Sequence, residues 1–548
     1  LFTAIWFVLG CIQAAMMELH PDEAYYWQMS RFLDWGFFHQ PPMVSAFIKL
    51  GYWIFENELG VRLATILASS IGILLLFKLS ETRDHRTFTL IFLGFILSHV
   101  GVFMAVPDSP LIFFTLIFLV LLKEYLRSDK VLLALALGVV AAALMYSKYH
   151  AIVLFASVII AAPKLLMRRT FWLTLIIGVA LFVPHILWQL DHDLISFKFH
   201  WVIRDKAGWD LGLVWNYLST QVILLGPLGI LLMLVVFRSR DGSKFGRVLR
   251  FITIGFFGFF LFLSFRGRVE ANWTATAFLP LIILGTNTIG SHARLLKPFR
   301  AISMVTIAIL FVGRVYIASP WAGIGLNTSF PLTGWNDWAQ AIKTKAQGRP
   351  VFFSNSYQYV SAYSFYSREQ GYHWSMLDYN GNQFDLWNID SAMTDKPIVA
   401  VFPFGFDSSL AVRSGTFPTF YVCPVPAYRS YRKLRFSFEQ DVYQVSGATC
   451  ELTGELFNGT GETVNLDSLL QERPLKVLYF TQLSGKNSEK VDCNGCKGIL
   501  PPGASKPVSF RLRIPNGSDK CFVRFGLEFA FEMPEQNSDF VQLKVNRD

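Results

Sequence analysis

The sequence predicts a polytopic α-helical membrane protein of about eleven spans, followed by an extracytoplasmic α/β domain and a C-terminal β-sandwich-like domain. Three observations predict it. Of the 548 residues, 53% are hydrophobic and 16% charged, with a mean hydropathy of +0.40, whereas a soluble domain carries about 25% charged residues. The apolar excess is confined to the chain before Ser319, and from Pro320 onward the composition is that of a soluble protein. The basic residues of the apolar part cluster in alternate gaps between its runs.

A spanning helix needs about 20 mostly apolar residues. Candidate spans are 1–17, 61–78, 88–106, 110–126, 131–147, 150–166, 171–188, 213–237, 250–265, 273–290 and 301–319. If the first enters from the cytoplasm, the gaps 79–87, 127–130, 167–170, 238–249 and 291–300 are cytoplasmic. They hold Arg83/Arg86, Arg127/Lys130, Arg168/Arg169, Arg238/Arg240/Lys244/Arg247 and Arg294/Lys297/Arg300. The opposite gaps hold most of the acids, among them Glu18, Asp22, Glu23, Asp34, Asp108, Asp191 and Glu270. The basic bias sets orientation, and an odd number of spans puts the tail outside the cytoplasm. The net charge of +10 thus belongs to membrane-flanking loops, which excludes a nucleic-acid groove. The chain opens inside an apolar run without a Met, so the true N-terminus is expected upstream.

These boundaries give a membrane domain over 1–319, an α/β domain over 320–430 and a β-rich domain over 431–548. In the last, the alternating runs Leu434–Phe438, Lys476–Thr481, Val508–Ile514 and Cys521–Phe531 are separated by Gly, Pro and Asn turns, a sandwich pattern. Five of the six cysteines lie in the tail. Cys493 and Cys496 form a C-x-x-C that reads as a local disulfide, with a zinc half-site as the alternative.

The unusual polar motifs all fall on the outer side. They are LHPDEAYYW (19–27), DWGFFHQPPM (34–43), VPDSP (106–110), YSKYH (146–150), DHDLISFKFHWVIRDK (191–206) and FRGRVEANW (265–273). Each has an ordinary reading. Asp22–Glu23 and Asp108 could cap helices, Lys148 could snorkel, and Arg266 and Arg268 could anchor the interface. Tyr25, Tyr26, Trp27, Trp35, Phe37 and Phe38 could be an aromatic belt. Separate explanations do not account for an acid, a base or a cation at each successive outer turn, because ionisable groups beside hydrocarbon are costly unless solvated or paired. Together they can build one polar pocket at the outer boundary.

The DE pair, the G-F-F-H-Q-P-P segment and the P-D-S-P, S-K-Y and V-E-A-N-W segments resemble the bacterial relatives of protein O-mannosyltransferases and of lipid A aminoarabinose transferases. The resemblance runs over about 15–320 and weakly to 430. It implies a GT-C-type fold and an inverting transfer of one sugar from a polyprenyl phosphate to an envelope glycolipid, glycan or protein, at the periplasmic face of a bacterial inner membrane. Membrane lipids are then partners. It implies catalytic roles for Asp22 and Asp108, with Glu23, His39, Gln40 and Glu270 supporting them. Relatives carry an acid and then Lys, or Asp and then His, where this chain has His39 and Gln40. Gln40 cannot supply a Lys charge, so Lys148, Arg266 and Arg268 are the candidates to hold the donor phosphate. A divalent cation is a further candidate ligand, with no metal-binding residue assigned.

A positioned carboxylate base contributes about 10²–10⁴-fold, and fixed cations suffice for a phosphate leaving group. The rival readings are an oligosaccharide ligase or polymerase, and a transporter or flippase. A transporter calls for broken mid-membrane segments and an internal repeat, and the sequence presents neither. Reporter fusions after Arg169, Arg240 and Arg300 should read cytoplasm, and fusions after Ser109 and Gly405 the opposite side. A cytoplasmic Gly405 would overturn the orientation.

Overall fold

The computed structural model describes the chain except residues 82–83, 102, 201–209, 239–241, 291–292, 320–329, 380, 406, 416, 482–484, 515–519, 532 and 547–548. Arg83, Arg240, Pro320 and the 201–206 part of the long outer loop therefore lie outside the described residues, as does the side chain of Arg294. The chain divides into two units, Leu1–Trp335 and Asn336–Asp548.

The first unit contains α1 (Phe2–Met16), α2 (Pro21–Arg31), α3 (Met43–Tyr52), α4 (Glu58–Leu79), α5 (His85–Leu93), α6 (Ile96–Val100), α7 (Asp108–Arg127) and α8 (Val131–Ser147). It continues with α9 (Ala151–Ala161), α10 (Arg169–Asp191), α11 (Ile195–Lys198), α12 (Leu211–Arg238), α13 (Lys244–Ser264), α14 (Ala275–Gly290) and α15 (Ala293–Ile317). Among the described residues six helices are long and apolar enough to cross a membrane, namely α4, α7, α10, α12, α13 and the 296–317 part of α15; α1 with α2, bent by 92°, would be a seventh. The chain is thus a multi-pass membrane protein, but the count of eleven spans is not reached by length. The run 88–106 breaks into α5 and α6 around Gly94 and Phe95. The run 150–166 yields the 11-residue α9, about 16 Å of helix where the hydrocarbon is about 30 Å thick.

Hydropathy decides which faces turn outward. Leu175, Ile176, Val179 and Leu187 of α10 are exposed, as are Met304, Val305, Ile309 and Val312 of α15. Such stripes suit acyl chains, since a helix satisfies its own backbone and needs only apolar surroundings. Inside, Leu228 and Leu232 of α12, Ile252, Phe256 and Phe260 of α13 and Leu281 and Ile283 of α14 are buried in one core. The break in α12 has a local cause: Gly226 takes φ 60°, and Pro227 follows it.

The second unit begins with a five-stranded sheet: β1 (Val351–Ser354), β2 (Gly371–Trp374), β3 (Ile398–Phe402), β4 (Ala411–Val412) and β5 (Phe420–Val425). Its order is β2-β1-β3-β5-β4, parallel across β2-β1-β3 and antiparallel beyond. All five residues of β3 are buried, as expected for a central strand covered on both faces. A β-sandwich follows. One sheet orders Gly485–Lys490, Leu475–Thr481, Lys520–Ala530, Val541–Asn546 and Val442–Ser446; the other orders Cys493–Asn494, Ser505–Arg513, Thr449–Asn458 and Leu434–Phe438. Period-two alternation turns Val508, Phe510 and Leu512 inward with Val477, Val523 and Phe525, and the Phe510 and Phe525 ring centroids are 4.2 Å apart. Cys493 and Cys496 are joined as a disulfide.

At the end of β2, burial pushes the His373 imidazole down to about 4; Asp385 opposes that shift and Arg432 adds to it. Asn382 Nδ2 lies 3.0 Å from its Nε2. An unfolded histidine titrates near 6.5, so as pH falls the unfolded chain takes up the proton first. His373 therefore favours this unit fully above pH 6.5 and progressively less toward pH 4, at up to about 1.4 kcal/mol per pH unit. In the full chain, hydrogen exchange of residues 371–376 should reveal this slope, and His373→Asn should flatten it. An unchanged slope in the variant would remove His373 as its cause.

Candidate active site

The geometry of the segment between α1 and α3 starts at the beginning of α2. Pro21 occupies its first position, where a missing N–H costs nothing, and His20 is the N-cap. The His20 ring accepts from the Asp22 N–H at 3.2 Å, and the Glu23 carboxylate accepts from the His20 N–H at 3.0 Å. This is a capping box with His in the place usually held by Ser or Thr. Glu23 is buried and also accepts from Arg62 Nε at 2.9 Å, Arg62 Nη2 at 2.6 Å and the Ala105 N–H at 2.9 Å. Glu23 is therefore held in the frame. Asp22 diverges from it, with 38% of its side chain exposed and Oδ2 3.6 Å from His20 Nδ1. Asp22 is not the N-cap; it is the acid of this pair that solvent and a ligand can reach.

Ala105 brings the turn before α7 beside α2, and Asp108 opens α7 three residues later. Asp108 makes no capping bond and Pro107 is the N-cap, so the helix-cap reading of Asp108 gives way to a different environment. Its buried carboxylate accepts from Lys148 Nζ at 2.8 and 3.0 Å and from Asn272 Nδ2 at 2.6 Å. The S-K-Y and V-E-A-N-W segments thus converge on the P-D-S-P turn. Lys148 does not snorkel: its ammonium is already engaged by a carboxylate, and the pair is a neutral unit.

The other predicted residues are less tightly grouped. The His39 ring lies 3.4 Å from the Tyr25 hydroxyl and edge-on to Phe199, centroids 4.4 Å apart. Gln40 is buried, with its side-chain Nε2 3.9 Å from the Met29 sulfur and its backbone carbonyl accepting from the Phe37 N–H at 3.1 Å. Arg268 and Glu270 pair with each other at 3.3 Å, largely in solvent. Arg266 is exposed. Among the described residues no three His, Cys, Asp or Glu side chains are grouped to hold a metal ion. The described residues thus offer no such group for the divalent cation.

Two residues central to this geometry were not singled out by sequence. Arg62 reads as the start of an apolar span, and Asn272 sits two positions from the more conspicuous Glu270. The usable signal was an arginine one turn inside a membrane run, which needs a partner.

Over residues 39–188 the sequence matches the family model described as dolichyl-phosphate-mannose-protein mannosyltransferase. No curated protein matches the sequence. The structure is similar to that of ArnT from Cupriavidus metallidurans in the apo state, at 14% identity and a TM-score of 0.58, covering 77% of this chain and 97% of that one. It is similar to ArnT from the same organism bound to undecaprenyl phosphate, at 14% identity and a TM-score of 0.56, with the same coverage. Arabinosyltransferase EmbB from Mycobacterium smegmatis gives 11% identity, covering 98% of this chain and 64% of that one, at a TM-score of 0.33. The fold is of the GT-C type, with strand-rich structure beyond the membrane unit. The chain is a glycosyltransferase resembling the protein O-mannosyltransferase and aminoarabinose transferase superfamily.

Removing one partner of a buried ion pair costs about 3–5 kcal/mol. Lys148→Met should therefore lower the melting temperature in detergent, and adding Asp108→Asn should recover most of the loss without restoring turnover. Wild-type melting of Lys148→Met would overturn the buried pair.

Proposed function

We propose that the protein moves a single sugar from a polyprenyl-phosphate donor to a hydroxyl or phosphate of an envelope glycolipid, polysaccharide or protein, with inversion, at the outer face of a bacterial inner membrane. The observation that carries this reading is the set of acids of contrasting accessibility on two neighbouring outer turns: reachable Asp22, and Asp108 fixed by Lys148 and Asn272. The family match and the likeness to a protein solved with undecaprenyl phosphate support the donor class. In this reading 1–319 is the catalytic membrane domain, and 320–430 and 431–548 are extracytoplasmic domains.

Asp22 takes the proton of the acceptor as its oxygen forms a bond to the anomeric carbon, while the bond from that carbon to the phosphate oxygen breaks. Polyprenyl phosphate leaves with the electron pair, so a cation is needed more than an acid. Lys148 is shared with Asp108, and Arg268 with Glu270. Arg266, exposed at the same outer turn, is the cation best able to swing onto the phosphate. The aromatic first loop gives the sugar and the first isoprene units an apolar wall.

Mass spectrometry of envelope glycolipids, glycans and proteins from a strain lacking the gene should show one class short of one sugar. Loss of a whole oligosaccharide would favour a ligase instead. Asp22→Asn is nearly isosteric and cannot accept the proton, so it should lower turnover by about 10²-fold or more while donor binding is largely kept. Near-normal turnover would return Asp22 to a structural role and move the search for the base to Asp108.

A further inference from the structure

The D-W-G-F-F-H-Q segment has no helix or sheet of its own, yet its backbone is held at alternate residues. The carbonyl of Trp35 accepts from His185 Nδ1 at 2.7 Å, that of Phe37 from Ser196 Oγ at 2.9 Å, and that of His39 from His200 Nε2 at 2.8 Å. Three side chains from α10 and the segment after it thus grip the loop through carbonyls at alternate residues. The start of the loop is held as well. Asp34 Oδ2 accepts from the Trp188 indole N–H at 2.9 Å. A Cβ at Gly36 would come within 2.3 Å of the same indole, so only glycine lets the ring lie there.

The donors of this grip are wired to one another with a fixed polarity. A carbonyl can only accept, so His185 Nδ1 carries the proton and its Nε2 is left as an acceptor. The Tyr149 hydroxyl is 2.9 Å from that Nε2 and donates to it. Gln189 Nε2 supplies one N–H to Tyr149 Oη at 3.1 Å and the other to Ser196 Oγ at 2.7 Å. Ser196 then passes its own proton toward Phe37 O. His185, Gln189 and Ser196 are buried. Tyr149 follows Lys148 directly, so one tripeptide, Ser147–Tyr149, touches both Asp108 and this relay.

We propose that Tyr149, His185, Gln189 and Ser196 are positioning residues: their directed hydrogen bonds set the backbone of residues 35–39 against the Lys148–Asp108 pair, and so fix where His39 and Gln40 meet the donor. This rests on the transferase reading above. None of the four touches the reacting atoms; they act through the loop. Their readout is therefore the geometry of the loop and the rate of a reaction that depends on it.

The test uses the full-length protein in detergent with four variants. Tyr149→Phe and Ser196→Ala each delete one hydroxyl. His185→Asn keeps a donor near the Nδ1 position, and His185→Gln moves it to the Nε2 position. Hydrogen exchange of residues 35–40 should quicken about tenfold in Tyr149→Phe, Ser196→Ala and His185→Gln, the loss expected for one buried hydrogen bond, with little change elsewhere and similar melting. Turnover of a polyprenyl-phosphate sugar should fall by a similar factor, and His185→Asn should stay closer to wild type than His185→Gln. Unchanged exchange in both hydroxyl variants overturns the relay. Faster exchange with wild-type kcat and KM overturns its role in positioning. If the unaltered protein transfers no sugar from such a donor, the proposed function fails, and the exchange measurement alone then decides the relay.

Discussion

The membrane unit is organised around one buried ion pair, Arg62 with Glu23. All five guanidinium N–H groups are used. Nε and one Nη2 proton go to the two Glu23 oxygens, the other Nη2 proton to the Glu18 carbonyl, and the Nη1 protons to the carbonyls of Ala14 and Met17. Glu23 completes its shell with the N–H groups of His20 and Ala105. A buried pair of charges is weak evidence for stability by itself. Here it does something an apolar pair could not: the last carbonyls of α1 have no partners within the helix, and Arg62 supplies them. The pair joins the end of α1, the start of α2, the start of α4 and the turn before α7 in one stroke.

That junction registers acids distant in sequence to one another. Glu23 receives Ala105, so the turn bearing Asp108 is registered to the helix bearing Asp22. The Asp108 carboxylate in turn collects Lys148 and Asn272, which registers two more interhelical turns. Each link is a charged or polar group whose alternative, exposure to hydrocarbon without a partner, is expensive. The burial that makes an error costly also makes the arrangement specific. An outer loop held only by apolar contacts could slide by a residue at little cost.

Much of the architecture was legible in the sequence because it depends on local composition. Each apolar run falls on helix, since a run of that kind must satisfy its backbone internally. The strand runs Leu434–Phe438 and Lys476–Thr481 fall on strands because period two survives without tertiary information. Length was less legible. The break at Gly94–Phe95 and the end of α9 just before Pro163 are local interruptions, and hydropathy averages over both. In the site, Asp108 stood out as an acid between prolines, but Asn272 lies 164 residues away and is chemically quiet. Arg62 was hidden by the leucines around it. The grip on residues 35–39 was invisible because its acceptors are backbone carbonyls, which carry no sequence signal at all.

The contrast between the two acids assigns their parts in the proposed reaction. A group that takes a proton from an acceptor must reach it, and must change charge without wrecking its own surroundings. Protonating Asp108 would leave the half-buried Lys148 ammonium without its carboxylate, which is costly for a cation held away from bulk water. Protonating Asp22 imposes no such penalty, because its side chain is partly solvated and its helix start is secured by His20 and Glu23. The same reasoning separates the cations. Lys148 cannot leave Asp108 for a phosphate without the converse cost, whereas Arg266 is exposed. In the proposed reaction, therefore, the fixed pair shapes the site, and the solvated groups Asp22 and Arg266 carry the proton and the phosphate charge.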